Sequence, residues 1–295
     1  MTSLNGYFIN LDRSTGRAAQ MRAELQARGL GFVERFSAID ARTLLRPPQC
    51  AIPMAAYGLF LSHQALIVDT PPRTYTLILE DDVQISEDLG DFLSEAGLAR
   101  LADYDLVFLD CNAGADINTL VELYRSVLPS FPNPHNLDGP PSQRTRATEI
   151  VLHPARWLYR WGATAYLVTP RGKQRLAPWL RDTLDRGPPG PLDILYRDLI
   201  EAGTIDAAVA MPFLATPTIE GLVASTIEGR DQSFLSSALM NMIRRLFFAG
   251  PIDGIADYLA PVLPGPLPED RAELMAVLVG QIVLGLLRDK TFTIL

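Results

Sequence analysis

The sequence has few of the residues that build disulfide frameworks and zinc sites. Its 295 residues include two cysteines, Cys50 and Cys111, and three histidines. Two cysteines so far apart give neither a disulfide pattern nor zinc-ligand spacing, so we expect a reducing compartment. The glycine-rich signatures of dinucleotide and P-loop sites, Gly-x-Gly-x-x-Gly after a first strand and Gly-x-x-x-x-Gly-Lys, are also absent. Typical NAD enzymes and P-loop NTPases are therefore excluded.

Long apolar runs and an excess of positive charge are missing as well. No segment reaches the roughly 18–20 uninterrupted apolar residues of a membrane span, and the first residues lack the pattern of a signal peptide. The net charge of −8 argues against general nucleic-acid binding, which needs a basic surface. We expect a cytoplasmic protein that would hold a phosphate-bearing ligand with a metal ion and a few local arginines.

The chain has the composition of a folded protein, with 48% apolar and 20% charged residues. It opens with a strand at 6–11, a helix with Ser14 as its N-cap, and a strand at 32–39. This β-α-β order predicts an α/β fold with a mostly parallel sheet flanked by helices. Further along, we predict a helix over 89–101, an irregular stretch over 129–154 and a last strand at 207–211. After Gly229 the sequence consists of apolar segments with helical spacing. We therefore predict a main domain over residues 1–230 and a helical C-terminal extension over 231–295.

The most informative motif is a run of three carboxylates after a buried strand. The apolar residues 76–79 lead directly into Glu80, Asp81 and Asp82. Adjacent buried acids repel one another, and Mg²⁺ or Mn²⁺ with open positions for phosphate oxygens would relieve that repulsion. If the strand persisted, Glu80 and Asp82 would share one face and Asp81 would point away. The motif predicts a metal–diphosphate site, although a solvated strand end before a helix also explains it.

A second polar cluster follows the first predicted strand. Asn10, Asp12 and Arg13, with Arg17 one turn later, lie where open parallel sheets bind ligands. Asp12 is suited to a ribose or base edge, and the two arginines to phosphate oxygens. A helix-capping turn with solvated arginines is the structural alternative.

Four further positions have both a functional and a structural interpretation. His63 lies on the apolar stripe of a helix predicted around residues 56–67, either as a hydrogen-bonded core residue or as a group that orients a carboxylate or phosphate. The run 153–161 places arginines among aromatic rings, which suits sugar stacking or ordinary packing. Asp193 and Asp110 are candidate general bases, and each is equally well explained as a structural acid.

The order of these segments resembles glycosyltransferase family 25, which includes bacterial lipooligosaccharide galactosyltransferases and collagen galactosyltransferases. The matching pieces are Phe8-Ile9-Asn10-Leu11-Asp12-Arg13 with Arg17, Arg35-Phe36-Ser37-Ala38-Ile39-Asp40, Gly58-Leu59-Phe60-Leu61-Ser62-His63, Leu77-Ile78-Leu79-Glu80-Asp81-Asp82-Val83, and, more weakly, Gly162-Ala163-Thr164-Ala165-Tyr166-Leu167-Val168 and Pro191-Leu192-Asp193. The family usually has Gly-Cys or Ala-Cys where this chain has Tyr57-Gly58.

The resemblance implies a GT-A enzyme that binds a UDP-sugar with Mn²⁺ or Mg²⁺ and inverts the anomeric centre. Asp82, with Glu80 or Asp81, would hold the metal, and Asp193 or, as the second candidate, Asp110 would be the base. The residues predicted to bind the nucleotide-sugar are Asn10, Asp12, Arg13, Arg17, His63 and Glu80. The predicted partners are a nucleotide-sugar donor, with galactose as the commonest sugar of the family, and a glycan or lipid-linked glycan acceptor, as in lipopolysaccharide assembly.

Alternative functions stay open at this stage. A catalytically degenerate binding or scaffold protein and another metal-dependent phosphate-ester enzyme would both fit clustered acids. The segment 234–248 carries Arg244 and Arg245 beside apolar residues, a pattern typical of helices that lie on membranes. The segment predicts a helical hairpin packed on the main domain or a homodimer contact, with peripheral contact with the inner face of the membrane as a further hypothesis.

Overall fold

A computed structural model describes residues 3–113, 117–131, 146–218 and 243–250, and it confirms the α/β class. The strands are β1 (Leu4–Asn10), β2 (Val33–Ser37), β3 (Tyr75–Glu80), β4 (Val83–Ile85), β5 (Leu106–Phe108), β6 (Asn112–Ala113), β7 (Val151–Pro154), β8 (Tyr159–Trp161), β9 (Ala165–Val168), β10 (Ala207–Met211) and β11 (Ala215–Pro217). The helices are α1 (Thr15–Ala27), α2 (Met54–Val68), α3 (Leu89–Phe92), α4 (Glu95–Ala99), α5 (Ile117–Val127), α6 (Ala155–Leu158), α7 (Pro170–Arg186) and α8 (Leu192–Glu201).

Seven strands form the central sheet, in the order β2-β1-β3-β9-β5-β10-β7. Strands β1, β2 and β3 are mutually parallel, and β5 is parallel to β10. Strand β9 runs antiparallel to both of its neighbours, and β7 runs antiparallel to β10. The carboxyl ends of β1, β2, β3, β5 and β10 therefore meet at one edge of the sheet, where β9 begins.

Helices cover both faces of this sheet, as the continuous burial of residues 75–79 in β3 requires. Ile78 packs on one face with residues of α2, α7 and α8. Leu77 and Leu79 pack on the other face with residues of α1, α3 and α4. Because Glu80 follows Ile78 by two positions, its side chain belongs to the face that carries α2, α7 and α8.

Two local predictions differ from the structure, and a third is confirmed only in its position. The helix expected over 89–101 is two short helices, because the Ser94 hydroxyl accepts from Gly97 N–H and begins α4 anew. Ser14 occupies the N-cap position of α1, but its side chain makes no capping hydrogen bond. The irregular stretch expected up to residue 154 contains strand β7, whereas residues 132–145 lie outside the described part.

The described part of the C-terminal region packs into the core of the main sheet. Ile243, Leu246, Phe247 and Phe248 belong to the same buried cluster as Ile78, and Phe213 N–H donates to Phe247 O over 2.7 Å. Arg244 and Arg245 are also buried, so they do not form the exposed basic face that membrane attachment would need. The predicted boundary near residue 231 lies outside the described residues.

Apart from the gaps at 114–116, 132–145 and 219–242, the chain between residues 3 and 250 has no helix that is long and apolar enough to span a membrane.

Candidate functional site

The three carboxylates lie at the carboxyl edge of the sheet. Strand β3 ends at Glu80, Asp81 and Asp82 form a turn, and β4 begins at Val83. The turn is fixed from both sides, because Glu80 N–H donates to Thr164 O over 2.8 Å and Thr218 N–H donates to Asp82 O over 2.7 Å. Since the strand does not continue past Glu80, the predicted alternation of the acids fails at this point.

Asp81 and Asp82 face the same guanidinium instead of opposite sides. Arg17 Nη1 lies 3.1 Å from Asp81 Oδ1 and 3.3 Å from Asp82 Oδ2. Asn10 Nδ2 donates to the other oxygen of Asp81 over 2.5 Å. The helix that follows β1 and the end of β1 itself therefore hold the two acids side by side.

Burial makes this pair of acids electrostatically costly. Desolvation raises the pKa of Asp81 above its ordinary value, against the opposing effects of Asn10 and Arg17. Desolvation also raises the pKa of Asp82, and the charge of Asp81 raises it further. Asp82 Oδ1 is buried and has no hydrogen-bond partner within the described ranges. An additional cation next to this oxygen would relieve the repulsion.

Asn10 links the acidic turn to a second charged cluster. Arg35 Nε donates to Asn10 Oδ1 over 2.7 Å, and Arg35 Nη2 donates to Asp12 Oδ1 over 2.6 Å. Ser37 Oγ also donates to Asp12 Oδ1. The Arg35 and Ser37 hydrogen bonds lower the pKa of Asp12, whose side chain is 77% exposed. An ionised, accessible acceptor thus stands at the ends of β1 and β2, where a ribose hydroxyl could reach it.

Arg13 does not join Arg17 at the carboxylates. Its guanidinium forms an ion pair with Asp40, and Asp40 also accepts from Arg42, which is the main cause of its lowered pKa. The Arg13 side chain is 41% exposed. The structure therefore brings Asn10 and Arg17 to the acidic turn, and it places Asp12 and Arg13 further out, over the loop that follows β2.

His63 lies in the core beneath this edge. Its Nδ1 is 2.8 Å from the Tyr166 hydroxyl, and its Nε2 is buried without a partner in the described structure. Burial lowers the pKa of His63 to about 3, so the ring is neutral at pH 7. The Tyr166 hydroxyl in turn lies 3.4 Å from that of Tyr196. A direct contact between His63 and a bound ligand has no support in this geometry.

Asp110 forms the most buried ion pair of the region. It follows β5 and is fully buried, and Arg244 Nε donates to its Oδ1 over 2.7 Å while Arg244 Nη2 pairs with its Oδ2. Thr164 Oγ1 donates to Asp110 Oδ2 over 3.2 Å. Desolvation raises the pKa of Asp110, against the effect of Arg244. Because Asp110 is fully buried and its carboxylate is paired with the Arg244 guanidinium, it is poorly placed to reach a substrate hydroxyl.

Asp193 lies beside this ion pair, at the start of α8. Its Oδ2 accepts from Gly162 N–H over 3.1 Å and its Oδ1 from Ile194 N–H over 3.0 Å. Gly162 has a positive φ of 103°, and a Cβ built on it would be 3.5 Å from Arg244 Nη2. Gly162 thus bonds Asp193 through its backbone and lies close to Arg244. Asp193 is half-buried, which suits a group that meets a substrate.

The aromatic–arginine run is split between two places. Trp157 is 69% exposed on α6, after the edge strand β7, which three strands separate from β3. Trp161, in contrast, pairs with Asn112 in the small β6–β8 sheet and directly precedes Gly162. Tyr159, in the same strand, donates its hydroxyl to Asp193 O over 3.0 Å. Tyr159 and Trp161 are therefore the aromatic residues of the run that lie near the candidate site.

The residues at the carboxyl edge of the sheet offer a divalent cation a buried carboxylate oxygen. Asp82 Oδ1 is an orphaned buried acceptor next to a second carboxylate. Within the described residues, no group of three or more acidic, histidine or cysteine side chains could hold a metal ion by itself. Mg²⁺ and Mn²⁺ commonly bind through one or two carboxylates and complete their shell with substrate phosphates and water. The fit is thus to a metal that arrives together with a phosphorylated ligand.

Several residues of the site were not predicted as site residues. Arg35 and Thr164 stand inside the segments that carry the family resemblance, and that membership was a usable signal. Gly162 carries no chemical group, and its role follows only from its backbone. Arg244 gave a misleading signal, because its apolar neighbours suggest a membrane-surface helix.

Comparison with known proteins adds a distant likeness. No protein-family model matches the chain, and no curated protein matches it. Among solved structures, the chain is similar to the galactosyltransferase LgtC in complex with donor and acceptor sugar analogues, with 14% identity over 92% of this chain and 100% of that chain and a TM-score of 0.32. An active-site mutant of LgtC gives 13% identity over 92% and 99%, with a TM-score of 0.33. Values this low carry no argument about the activity of this chain.

Proposed function

We propose that the protein is an inverting, metal-dependent glycosyltransferase that transfers a sugar from a UDP-sugar to a glycan acceptor, and that it is a GT-A enzyme of glycosyltransferase family 25. The observation that carries the proposal is the orphaned Asp82 Oδ1 beside Asp81 at the carboxyl edge of the sheet. Open α/β sheets bind their ligands at this edge. UDP-galactose is the donor to test first, because galactose is the commonest sugar of the resembling family.

The acidic turn would hold the metal and the donor's diphosphate. Asp81 and Asp82, with Glu80 beside them, are the residues that would hold Mn²⁺ or Mg²⁺. When bound, the metal would act as a Lewis acid that neutralises the charge on the departing UDP. Arg17, which is 26% exposed, would add a guanidinium for phosphate oxygens. The exposed Asp12 carboxylate would accept from ribose hydroxyls, and Arg35 and Ser37 keep it ionised and oriented.

The acceptor would be activated by an acid at the start of α8. An inverting transfer needs a base that removes a proton from the acceptor hydroxyl as that hydroxyl attacks the anomeric carbon. Asp193 is the proposed base, since its carboxylate is fixed by two backbone N–H groups and each of its oxygens keeps a further lone pair. Asp110 is assigned to hold Arg244, because the two form a buried ion pair.

The setting of the reaction follows from composition. An acidic protein with two buried free cysteines fits the assembly of lipopolysaccharide or another polysaccharide in a reducing compartment. A lipid-linked glycan is an acceptor of this kind.

The proposal is tested by incubating the purified protein with a panel of UDP-sugars, Mn²⁺ and glycan acceptors while UDP release is measured. We expect release with one donor, loss of that release in EDTA, and an inverted anomeric configuration in the product by NMR. The variant Asp193→Asn should lower kcat about 10²-fold or more with little change in the donor KM, since general base catalysis contributes on that scale.

Asp198→Asn provides the matched control, because Asp198 lies on the same helix and is 54% exposed. Its rate should equal that of the wild type. Retention of anomeric configuration would contradict the single-displacement mechanism. Absence of UDP release from every donor would favour the degenerate scaffold or another metal-dependent phosphate-ester enzyme.

A further inference from the structure

Arg244 reaches the carboxylate cluster from a distant part of the chain. It is 134 residues from Asp110 in sequence, on a helical turn at residues 243–246. The turn is followed by a hydrogen-bonded contact with the segment after β10, in which Phe213 N–H donates to Phe247 O and Ala249 N–H donates to Phe213 O. These backbone bonds fix the segment against the carboxyl edge of the sheet.

Two nitrogens of the Arg244 guanidinium are bonded to protein side chains, and the third, Nη1, is available to a ligand. Nε and Nη2 donate to Asp110, and Nη2 also donates to Thr164 Oγ1 over 2.6 Å. Nη1 has no hydrogen-bond partner in the described ranges of the chain. An arginine is always charged, and its two Nη1 hydrogens are strong donors. Only 7% of the side chain is exposed, so these donors lie in a sheltered place where an anion would be bound strongly.

The surroundings of Arg244 connect it to the acidic turn. Thr164 Oγ1 accepts from Arg244 Nη2 over 2.6 Å, and Thr164 O accepts from Glu80 N–H over 2.8 Å. Arg17 contacts the carboxylates of the same turn. The acidic turn therefore has one guanidinium at its carboxylates and a second one linked to it through Thr164. A diphosphate that shares a metal with Asp82 would meet both arginines.

We infer that Arg244 is a binding residue for the diphosphate of a nucleoside diphosphate, held in place by Asp110 and Thr164. The inference rests on the proposed function and deepens it. It also implies that residues 243–250 complete the active site of the main domain. Thr164 and Asp110 act as positioning residues, because they fix the guanidinium plane and leave Nη1 toward the ligand.

A charge-balanced double variant separates binding from anchoring. Asp110→Asn with Arg244→Met removes both charges of the ion pair, so it leaves no unpaired buried charge. Calorimetry would measure its affinity for UDP with Mn²⁺, and ligand-observed NMR would measure its affinity for uridine, which has no phosphate. We expect UDP to bind about tenfold or more weakly than to the wild type, with uridine binding unchanged. Arg186→Met, on the exposed end of α7, is the control for loss of one positive charge.

Each result bears on one of the two proposals. Equal UDP affinity in the double variant and the wild type would overturn the role of Arg244 and leave the proposed function intact. An equal loss of UDP and uridine binding would also overturn it, because phosphate recognition would not be involved. If the wild type itself fails to bind UDP, the proposed function is wrong and this inference falls with it.

A second variant covers the case in which the double variant does not fold. Arg244→Lys keeps the charge and loses the planar fork that matches both carboxylate and phosphate. We expect weaker UDP binding and unchanged uridine binding at an unchanged thermal midpoint. Unchanged UDP binding by this variant would count against the inference.

Discussion

Arg244 Nε donates to Asp110 Oδ1 over 2.7 Å, although the two residues are 134 positions apart. Asp110 is fully buried and Arg244 is nearly so. The ion pair therefore joins the C-terminal segment to the carboxyl end of β5. The acidic turn lies at the same edge of the sheet. Its geometry gives a direct test of how the site is held together.

Removal of one partner of this pair should destabilise the protein strongly. Asp110→Ala leaves the Arg244 charge buried without its carboxylate, which typically costs about 3–5 kcal/mol. The double variant Asp110→Asn with Arg244→Met should lose less than Asp110→Ala alone. Urea unfolding of the three proteins measures the difference. An Asp110→Ala variant within about 1 kcal/mol of the wild type would show that the pair is not formed in solution.

Asp82→Asn should stabilise the metal-free protein at pH 7. Burial and Asp81 raise the folded-state pKa of Asp82 above its ordinary value of 3.8. For a carboxyl with a raised pKa, the folded state binds more protons than the unfolded state in the window between the two pKa values, so stability falls as pH rises through that window. The asparagine variant lacks this penalty.

Thermal unfolding in EDTA from pH 4 to pH 8 tests the sign. The midpoint of the wild type should fall relative to that of Asp82→Asn as pH rises, and Mn²⁺ with UDP should raise only the wild-type midpoint. A variant that is less stable than the wild type at pH 7 in EDTA would show that Arg17 outweighs the desolvation of Asp82.

His63 should make the protein sensitive to acid. Its pKa is about 3 in the folded protein against an ordinary 6.5, so below pH 6.5 the unfolded chain binds a proton that the native state excludes. Stability attributable to His63 is complete above about pH 6.5 and is lost as pH falls toward 3, at up to about 1.36 kcal/mol per pH unit. His63→Gln, which can still bond Tyr166, should flatten this slope in urea unfolding.

His153→Gln is the control for that experiment, since His153 is only half-buried on β7. It should change the slope less than His63→Gln does. Equal slopes in the wild type and His63→Gln would mean that the core histidine is protonated in the native state.

Gly58 is predicted to be required for the close packing of α2 against the loop that follows β2. A Cβ on Gly58 would lie 2.6 Å from Ile39 O and 3.1 Å from Ala41 N, so Gly58→Ala must push α2 away from the chain that carries Asp40. Overpacking of this kind costs about 1–3 kcal/mol. Gly16→Ala, within helix α1 and with nothing within 4 Å of the new methyl group, should instead stabilise by about 0.5–1 kcal/mol. Denaturant unfolding of the pair measures both, and equal effects would contradict the contact at Gly58.

Local patterns were enough to predict the parts of the fold that depend on neighbours in sequence. Strand β10 has the predicted bounds of 207–211, and β3 ends at the carboxylates as expected. The position of Asn10 and Arg17 near those carboxylates followed from the rule that parallel strands share a carboxyl edge. The antiparallel direction of β9 was not predictable, because its apolar run reads the same in either direction.

The rest of the site depends on contacts between distant residues. Periodicity along residues 234–248 describes an amphipathic helix equally well whether its arginines meet a membrane, solvent or a buried acid. Only the fold shows that Arg244 meets Asp110. The contacts of Arg17 were also visible only in the fold. Its Nη1 contacts both Asp81 and Asp82, because the strand stops at Glu80.

The central claim is that Asp82 belongs to a metal–diphosphate site, and calorimetric titration of UDP with and without Mn²⁺ tests it most directly. The wild type should bind UDP in a manner that depends on Mn²⁺, Asp82→Ala should lose that dependence, and the control Asp198→Asn should behave as the wild type does. Absence of UDP binding to the wild type under either condition, or unchanged Mn²⁺-dependent binding in Asp82→Ala, would contradict the account.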